Sequence, residues 1–199
     1  MESYTHRVWM SEDEPGIEDV LITHEPAKGT GFSGAIVRLW EGQPLRMQYS
    51  LFCDAQWHVH NLFAVIPIPR GAGVLPYRVT LKADGAGNWW DDKGHALDAL
   101  QGCIDVDIML TPLTNTLPIR RLQLAPGESR EISVVYIAAP DLGIRPFRQR
   151  YTRLDDDADG HSRYRYESLG SGFTAELLVD DEGFVIDYPG IWRRIWPTS

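Results

Sequence analysis

Two aspartates, Asp105 and Asp107, are separated by one residue in the segment CIDVDIML. In a β-strand such residues lie on the same face, with their carboxyl groups about 7 Å apart. A carboxylate pair at this distance can serve as acid and base or hold a cation. A polar strand face that pairs with basic residues on a neighbouring strand explains the same pattern without catalysis. Both interpretations stay open at this point.

The segment TPLTNTLP, residues 111–118, follows these aspartates and is itself followed by two arginines. Its prolines each remove a backbone donor and enclose residues that favour turns, which predicts a connector between strands. If residues 103–110 and 118–124 form a hairpin, Asp107 lies opposite Arg121, and Asp105 lies opposite Gln123. The expected partner of Arg121 is therefore Asp107.

Arg120 needs a separate explanation. In the predicted strand it alternates with Leu122 and Leu124, which places it at the open end of an apolar face. A guanidinium there needs a backbone carbonyl, a buried carboxylate, or an anionic or hydroxyl-rich ligand group. Arg120 and Arg121, with Asn115 from the connector, are therefore candidate ligand-binding residues, as are Asp105 and Asp107.

Two segments, FRQRYTRL and HSRYRYES, combine aromatic and basic residues. Gln149 and Tyr151 alternate with arginines in the first, and Tyr164 and Tyr166 do so in the second. Such a row can line a groove for a sugar or an acyl chain, because rings stack on apolar faces while hydroxyls bond to hydroxyls. The same row can form a barrel core with the arginines in solvent. These four residues are further candidates for the polar rim of a site.

A histidine pair, His58 and His60, shares one strand face close to Cys53 and Asp54. This spacing can offer two imidazoles to one metal ion. No motif places a third ligand, so we expect strand histidines without a metal. No cofactor is predicted, because nothing resembles a nucleophile elbow, a P-loop or a dinucleotide fingerprint.

The elements that must position these residues are strands. Apolar and polar residues alternate through most of the chain, as in LRMQYSLFC, with Gly, Pro and Asp turns at short intervals. We therefore predict an all-β protein with a single curved antiparallel sheet of about a dozen strands, forming a half-open or closed barrel. One or two short helices are predicted, in HALDALQG at 95–102 and IWRRIW at 191–196.

Composition limits the classes of partner. The chain has 199 residues and no linker-like stretch, so residues 1–199 are predicted to form one domain. A net charge of −9 opposes nucleic acids and anionic membranes, and neither is an expected partner. No signal peptide and no run of about 18 apolar residues is found, which favours a cytoplasmic protein without stable membrane insertion. Whether Cys53 and Cys103 form a disulfide stays open.

The run GNWWDDKGHALDALQGCIDVDIMLTPLTNTLPIRRLQL, residues 87–124, resembles the bacterial glycolipid-binding family, formerly a domain of unknown function. The specific part is D-x-D-x-x-x-T-P-x-T-N-T-L-P-I-R-R, and the Gln149-x-Tyr151 and Tyr164-x-Tyr166 segments are also similar. The resemblance implies a half-barrel similar to bacterial lipoprotein carriers, with a lipid or glycolipid on its concave side. Trp90, within this run, is included among the candidate ligand-binding residues.

Three functions follow from these observations. The first is non-enzymatic binding of a lipid or glycolipid, in which an eight-carbon chain would contribute roughly 6 kcal/mol before ordering costs. The second is a hydrolase or isomerase acting on a sugar or lipid, with Asp105 and Asp107 as the acid–base pair. The third is an interaction module that forms a homodimer through a strand edge or through Trp192 and Trp196.

Overall fold

The computed structural model describes residues 3–70 and 73–198, and fourteen strands within them form one sheet. The described residues also include one short α-helix, α1 (Thr116–Leu122), and two 3₁₀ turns at Asp98–Leu100 and Leu113–Asn115. The strands are β1 (Ser3–Ser11), β2 (Gly16–Glu25), β3 (Gly29–Trp40), β4 (Gln43–Cys53), β5 (Val59–Arg70), β6 (Gly73–Ala83), β7 (Trp89–Trp90), β8 (Asp105–Ile108), β9 (Ser129–Ile137), β10 (Ile144–Arg153), β11 (Ser162–Ser168), β12 (Thr174–Val179), β13 (Val185–Tyr188) and β14 (Trp192–Trp196).

The strand order brings the two ends of the chain together in the middle of the sheet. It runs β7-β6-β5-β4-β3-β2-β1-β14-β13-β12-β11-β10-β9-β8. The two edge strands, β7 and β8, do not pair in the part of the chain that the structure describes, so the curved sheet stays open there. The predicted mainly-β, half-open sheet is confirmed. One pair differs from the antiparallel prediction: β8 runs parallel to β9, because a long connection containing α1 joins them.

Buried and exposed residues alternate along the strands as the sequence predicts. In β4, the residues Leu45, Met47, Tyr49, Leu51 and Cys53 are buried. Intervening residues such as Arg46 and Gln48 are exposed. Burying one face of each strand removes apolar surface from water and forms the core inside the curve of the sheet. Cys53 and Cys103 are free thiols in this core, and burial raises both pKa values.

Residues 118–124 are not a strand, and the predicted hairpin with 103–110 is wrong. They belong largely to α1, which ends at Gln123 with a left-handed φ of 47°. Pro118 lies in the first turn of the helix, where backbone N–H groups have no helical partner and proline is tolerated. Leu113 and Leu117, four residues apart, are both fully buried, which is the helical spacing.

The segment 111–122, which we call the plug, occupies the inner side of the sheet. Residues 111–119 are all buried. The plug reaches two well-separated strands: Thr111 Oγ1 lies 3.4 Å from the Tyr49 hydroxyl of β4, and Asn115 accepts a hydrogen bond of 2.8 Å from Tyr151 of β10. The plug therefore fills the middle of the space that a lipid was expected to occupy, and the remaining open space lies at the two ends.

The C-terminal prediction of a short helix at 191–196 is also wrong. Residues Trp192–Trp196 form β14, which pairs with both β1 and β13. Two neighbouring strands offer more hydrogen bonds than an isolated six-residue helix can satisfy internally. The other predicted helix, within 95–102, is a 3₁₀ turn at Asp98–Leu100. Within the described residues, no helix is both long and apolar enough to cross a membrane.

Candidate functional site

A cavity of about 430 Å³ lies at one end of the sheet, where β10 begins and where β9, β11 and β13 end. Adjacent strands run in opposite directions, so residues distant in sequence meet at this end. Its aromatic lining consists of Trp40, Tyr136, Phe147, Tyr166, Phe173 and Tyr188. The plug contributes Thr111 and Asn115 to the lining, and β8 contributes Asp107.

Five of these six rings pack in two groups, which together we call the aromatic wall. The ring centroids of Tyr136 and Phe147 are 5.2 Å apart. Those of Tyr166, Phe173 and Tyr188 lie 6.2 to 6.4 Å from one another. The rings are tilted or edge-on, which presents both ring faces and ring edges to the cavity. Such a wall can pack against the apolar face of a sugar or against an acyl chain.

Two arginines, Arg38 and Arg145, line the cavity. The Arg145 guanidinium carbon is 5.0 Å from the ring centroid of Tyr136 and 4.9 Å from that of Phe147, so its charge stacks on the wall. Arg38 is buried and donates two hydrogen bonds of 2.9 Å to the carboxylate of Asp13. Arg145 is therefore the arginine that stays available to a ligand at the mouth.

Asp107 is the carboxyl group that lies against the aromatic wall. Gln149 Nε2 donates a hydrogen bond to Asp107 Oδ2 at 2.5 Å, and the Thr114 hydroxyl donates one to Oδ1 at 3.4 Å. Burial raises the pKa of Asp107 to about 6, although these two hydrogen bonds oppose the rise. Gln149 also lies 3.1 Å from the Tyr166 hydroxyl, so it positions both groups from behind the wall.

The expected Asp107–Arg121 pair is not formed. Arg121 instead binds Asp105, with Nε to Oδ1 at 3.0 Å and Nη2 to Oδ2 at 2.5 Å. A helix rotates about 100° per residue, so consecutive arginines point in different directions, and Arg121 faces β8. Burial raises the pKa of Asp105 while Arg121 opposes that rise. Neither member of this pair lines the cavity.

The other predicted site residues are dispersed. Tyr151 and Tyr164 are core residues, and Arg153 lies over the Tyr164 ring at 5.2 Å. Trp90 lies on edge strand β7 beside a separate pocket of about 90 Å³. Arg120 lies at the opposite end of the sheet, over the ring of Trp57. The cavity thus brings together three predicted residues, Asp107, Asn115 and Tyr166, with Gln149 directly behind them.

Sequence reasoning missed most of the aromatic wall. Tyr136 is the second-last residue of β9 and Tyr188 the last of β13. Phe173 comes directly before β12, and Arg145 is the second residue of β10. Each strand looks ordinary by itself, and no short motif marks these residues. The usable signal was the recurrence of an aromatic residue at one end of successive strands, which becomes visible only once strand order and direction are known.

The histidine pair has a local partner. His58 Nδ1 and His60 Nε2 lie 3.3 Å and 3.0 Å from Asp54 Oδ2. That carboxylate also accepts the backbone N–H groups of Gln56 and His58, which lowers its pKa together with the His60 contact. His58 therefore belongs to the turn between β4 and β5 and His60 to the start of β5, at the end of the sheet opposite Asp107.

An open, curved sheet with an inner plug and an aromatic cavity at one end defines a β-barrel-like protein with a small-molecule-sized cavity. The chain belongs to the family described as "Putative glycolipid-binding", whose match spans residues 6–194. The family resemblance of residues 87–124 is thereby confirmed. No curated protein matches the chain.

Two solved structures are similar to this chain. A protein of the DUF1089 family from Pseudomonas aeruginosa shares 42% sequence identity, with a TM-score of 0.75 over 90% of this chain and 92% of that one. A β-barrel-like protein of the DUF1849 family from Brucella abortus shares 12% identity, with a TM-score of 0.53 over 95% of this chain and 93% of that one. The second likeness concerns the fold alone.

Proposed function

We propose that the protein, acting as a single domain, binds a glycolipid or a similar sugar-bearing amphiphile in the cavity at Asp107. The observation that carries this proposal is that the aromatic wall and the half-buried carboxyl group of Asp107 line the same cavity. Sugars present apolar C–H faces and hydroxyl edges, and this pairing of rings with a carboxylate is suited to both. The volume of about 430 Å³ lies within the range of roughly 300–1,000 Å³ common for small-molecule sites.

The polar groups of the cavity have distinct roles in this proposal. The Asp107 carboxylate accepts hydrogen bonds from ligand hydroxyls, because Gln149 and Thr114 occupy only part of its acceptor capacity. The hydroxyls of Ser168 and Ser171 lie on the same lining and can donate or accept. Arg145 offers donors at the mouth while its charge stays on the rings.

The lipid part would leave the cavity along its apolar edge. Met109 lines the cavity and is 43% exposed, and Ile144 at the start of β10 is 36% exposed. Because the plug fills the interior, we place the chain on this edge and not deep inside the sheet. Each CH₂ covered contributes about 0.8 kcal/mol before ordering costs.

An enzymatic role with Asp105 and Asp107 as an acid–base pair has weaker support. The raised pKa of Asp107, about 6, suits proton transfer near neutral pH. Asp105, however, is bound by Arg121 and does not line the cavity. The other carboxylate on the lining is Asp13: burial opposes ionisation, but hydrogen bonds from Ser11 and Arg38 lower its pKa. We therefore favour binding without catalysis.

Homodimerisation stays a prediction, and fewer of the residues named for it are exposed. Trp192 is buried within the sheet, so of the two tryptophans only Trp196, at 58% exposure, can contact a partner. Sedimentation of Trp196→Ser beside the parent protein tests this, since the substitution removes the exposed ring without removing β14.

Native mass spectrometry of freshly purified protein, followed by organic extraction, tests the binding proposal. We expect a co-purifying lipid adduct. In parallel, n-octyl β-D-glucoside below its micellar concentration is titrated into delipidated protein and followed by calorimetry. We expect saturable binding. Absence of any adduct together with absence of saturable octyl glucoside binding would contradict the proposal.

A further inference from the structure

Five turns in the part of the chain that the structure describes share one hydrogen-bonding pattern. In each, the carboxylate of the first residue accepts the backbone N–H groups of the residues two and four positions later, at 2.8 to 3.1 Å. The backbone N–H of the first residue also donates to the carbonyl of the fifth, which closes the turn. The first residues are Asp54, Asp84, Asp91, Asp157 and Asp180.

The fourth residue of these turns has a left-handed backbone. It is glycine in four of them, with φ between 80° and 93° at Gly87, Gly94, Gly160 and Gly183. In the turn that begins at Asp54 the same position is Trp57, with φ of 67°. A side chain is strained in this conformation, which glycine adopts readily. Trp57 thus places a large aromatic side chain at a position that is glycine in the other four turns.

The ring of Trp57 supports an arginine. Its centroid lies 6.3 Å from that of Phe32, and the guanidinium carbon of Arg120 lies 5.0 Å from the Trp57 ring. Trp57 packs against the core, but its side chain is only half-buried. Core packing therefore explains only part of the role of the ring. The contact with the Arg120 guanidinium is the one that core packing does not require.

Arg120 has no acceptor among residues 3–70 and 73–198. It forms no ion pair within 4 Å and no hydrogen bond there, and its Nε is buried without a partner. Two other arginines at this end of the sheet do form ion pairs: Arg7 binds Glu182 and Asp180, and Arg194 binds Asp180. Arg120 therefore stays an unpaired, half-buried positive charge at this end of the sheet.

Open space borders Arg120 on two sides. A pocket of about 200 Å³ is lined by Arg120, Ser162 and Tyr164, and one of about 130 Å³ by Arg120, Trp57 and the hydroxyl residues Ser3, Thr5 and Thr30. Acidic side chains are also present. Glu182 in the smaller pocket is bound by Arg7. The larger pocket is bordered by Asp180, which Arg194 binds, and by the exposed Asp181. The smaller pocket therefore has the stronger excess of donors.

We propose that Trp57 and Arg120 form a second binding site, which takes an oxyanion, a phosphate or a carboxylate of a small ligand. A guanidinium binds two oxygens of such a group side by side, and the ring beneath keeps its plane fixed. The hydroxyls of Ser3 and Thr5 in the smaller pocket supply further donors, whereas that of Thr30 lies 2.9 Å from His24 Nδ1. This site lies at the opposite end of the sheet from Asp107 and does not depend on sugar binding there.

Two-dimensional NMR of the full chain tests the proposal with methyl phosphate, sodium acetate and sodium chloride, each at equal ionic strength. The Trp57 indole N–H and Arg120 Nε–H signals are assigned from the spectra of Trp57→Phe and Arg120→Gln. We expect saturable shifts of both signals with methyl phosphate or acetate, and the tighter of the two identifies the ligand group. Arg120→Gln should reduce the affinity at least tenfold, whereas Arg148→Gln on the outer face should not change it.

Trp57→Gly provides a second variant that is expected to fold, because glycine occupies this position in the four related turns. It should also weaken anion binding while leaving octyl glucoside binding unchanged. Shifts that are equal with chloride, that fail to saturate with either anion, or that persist in Arg120→Gln would overturn the proposal. None of these outcomes bears on the Asp107 cavity, which is tested with an uncharged ligand.

Discussion

Arg121 donates two hydrogen bonds to the carboxylate of Asp105, from Nε at 3.0 Å and from Nη2 at 2.5 Å. The Asp105 side chain is fully buried and that of Arg121 is 15% exposed, so water screens this pair poorly. The bond joins the last turn of α1 to edge strand β8. It therefore holds the plug against the sheet and indirectly fixes Asp107, which lies two residues farther along β8.

Arg121→Gln should destabilise the protein by about 3–5 kcal/mol, because it leaves a buried carboxylate without its partner. The free energy of unfolding in urea measures this loss. Arg148→Gln, which removes an exposed pair with Glu131, is the matched control and should cost less than about 1 kcal/mol. The double variant Asp105→Asn/Arg121→Gln should regain much of the stability. A single-variant loss no larger than that of the control would contradict this role.

Glu18 should make stability fall as pH rises. It is fully buried, accepts a hydrogen bond of 2.6 Å from Tyr49, and has no partner for Oε2 among the described residues. Burial raises its pKa from 4.5 to about 8. Between these two values the unfolded chain is ionised and the folded chain holds a proton. The folded state thus loses up to about 1.4 kcal/mol per pH unit across this window.

Glu18→Gln tests this dependence, because it keeps the shape of the side chain and removes its titration. We expect the variant to be more stable than the parent at pH 8, with a flatter stability profile between pH 5 and 8 measured in urea. Glu176→Gln, on the outer face, should retain the parental slope. Parallel profiles for the parent and Glu18→Gln would show that Glu18 is not the source.

The sequence predicted the sheet because its signal is local. Alternation in segments such as 45–53 reports which face is buried, whatever strand lies alongside. Alternation did not predict the helix in the plug. Turn-forming residues and two prolines there obscured the helical spacing of Leu113 and Leu117. Alternation also failed at 191–196, because pairing with β1 and β13 is a contact between distant parts of the chain.

The candidate site was predictable only in part for the same reason. Asp107, Asn115, Gln149 and Tyr166 belong to recognisable segments, and the structure places them together. Their partners across the cavity come from separate strand ends, which topology alone brings into contact. The Asp107–Arg121 register was wrong because a helical turn, unlike a strand, separates neighbouring arginines by about 100°.

The affinity for octyl glucoside should depend on the ionisation of Asp107. Its pKa is raised to about 6 by burial, so above pH 6 the carboxylate accepts hydroxyl hydrogen bonds, and below pH 6 it becomes protonated and loses acceptor capacity. We expect binding to weaken as pH falls from 7 to 5. Asp107→Asn should bind about tenfold more weakly at pH 7 and show no such dependence, as calorimetry can measure. Equal profiles for both proteins would remove Asp107 from the site.

Phe173→Ala should weaken octyl glucoside binding with little loss of stability. The ring lies on the cavity wall beside Tyr166 and Tyr188, yet it is 42% exposed, so the core does not depend on it. Tyr77→Ala on β6 removes a ring of 37% exposure away from the cavity and is the control. Calorimetric titration and urea unfolding of both variants separate affinity from stability. Equal affinities in the two variants would show that the aromatic wall does not contact the ligand.

Removing β14 should abolish cooperative folding. In the described residues β14 pairs on one side with β1 and on the other with β13, and its Trp192 side chain is buried. Ending the chain at Gly190 therefore leaves two partial sheets, each with a new exposed edge. We expect loss of the cooperative urea transition, whereas a chain ending at Trp196 should unfold like the parent because β14 is kept. A cooperative transition at the parental midpoint in the shorter chain would show that the two halves hold together without this strand.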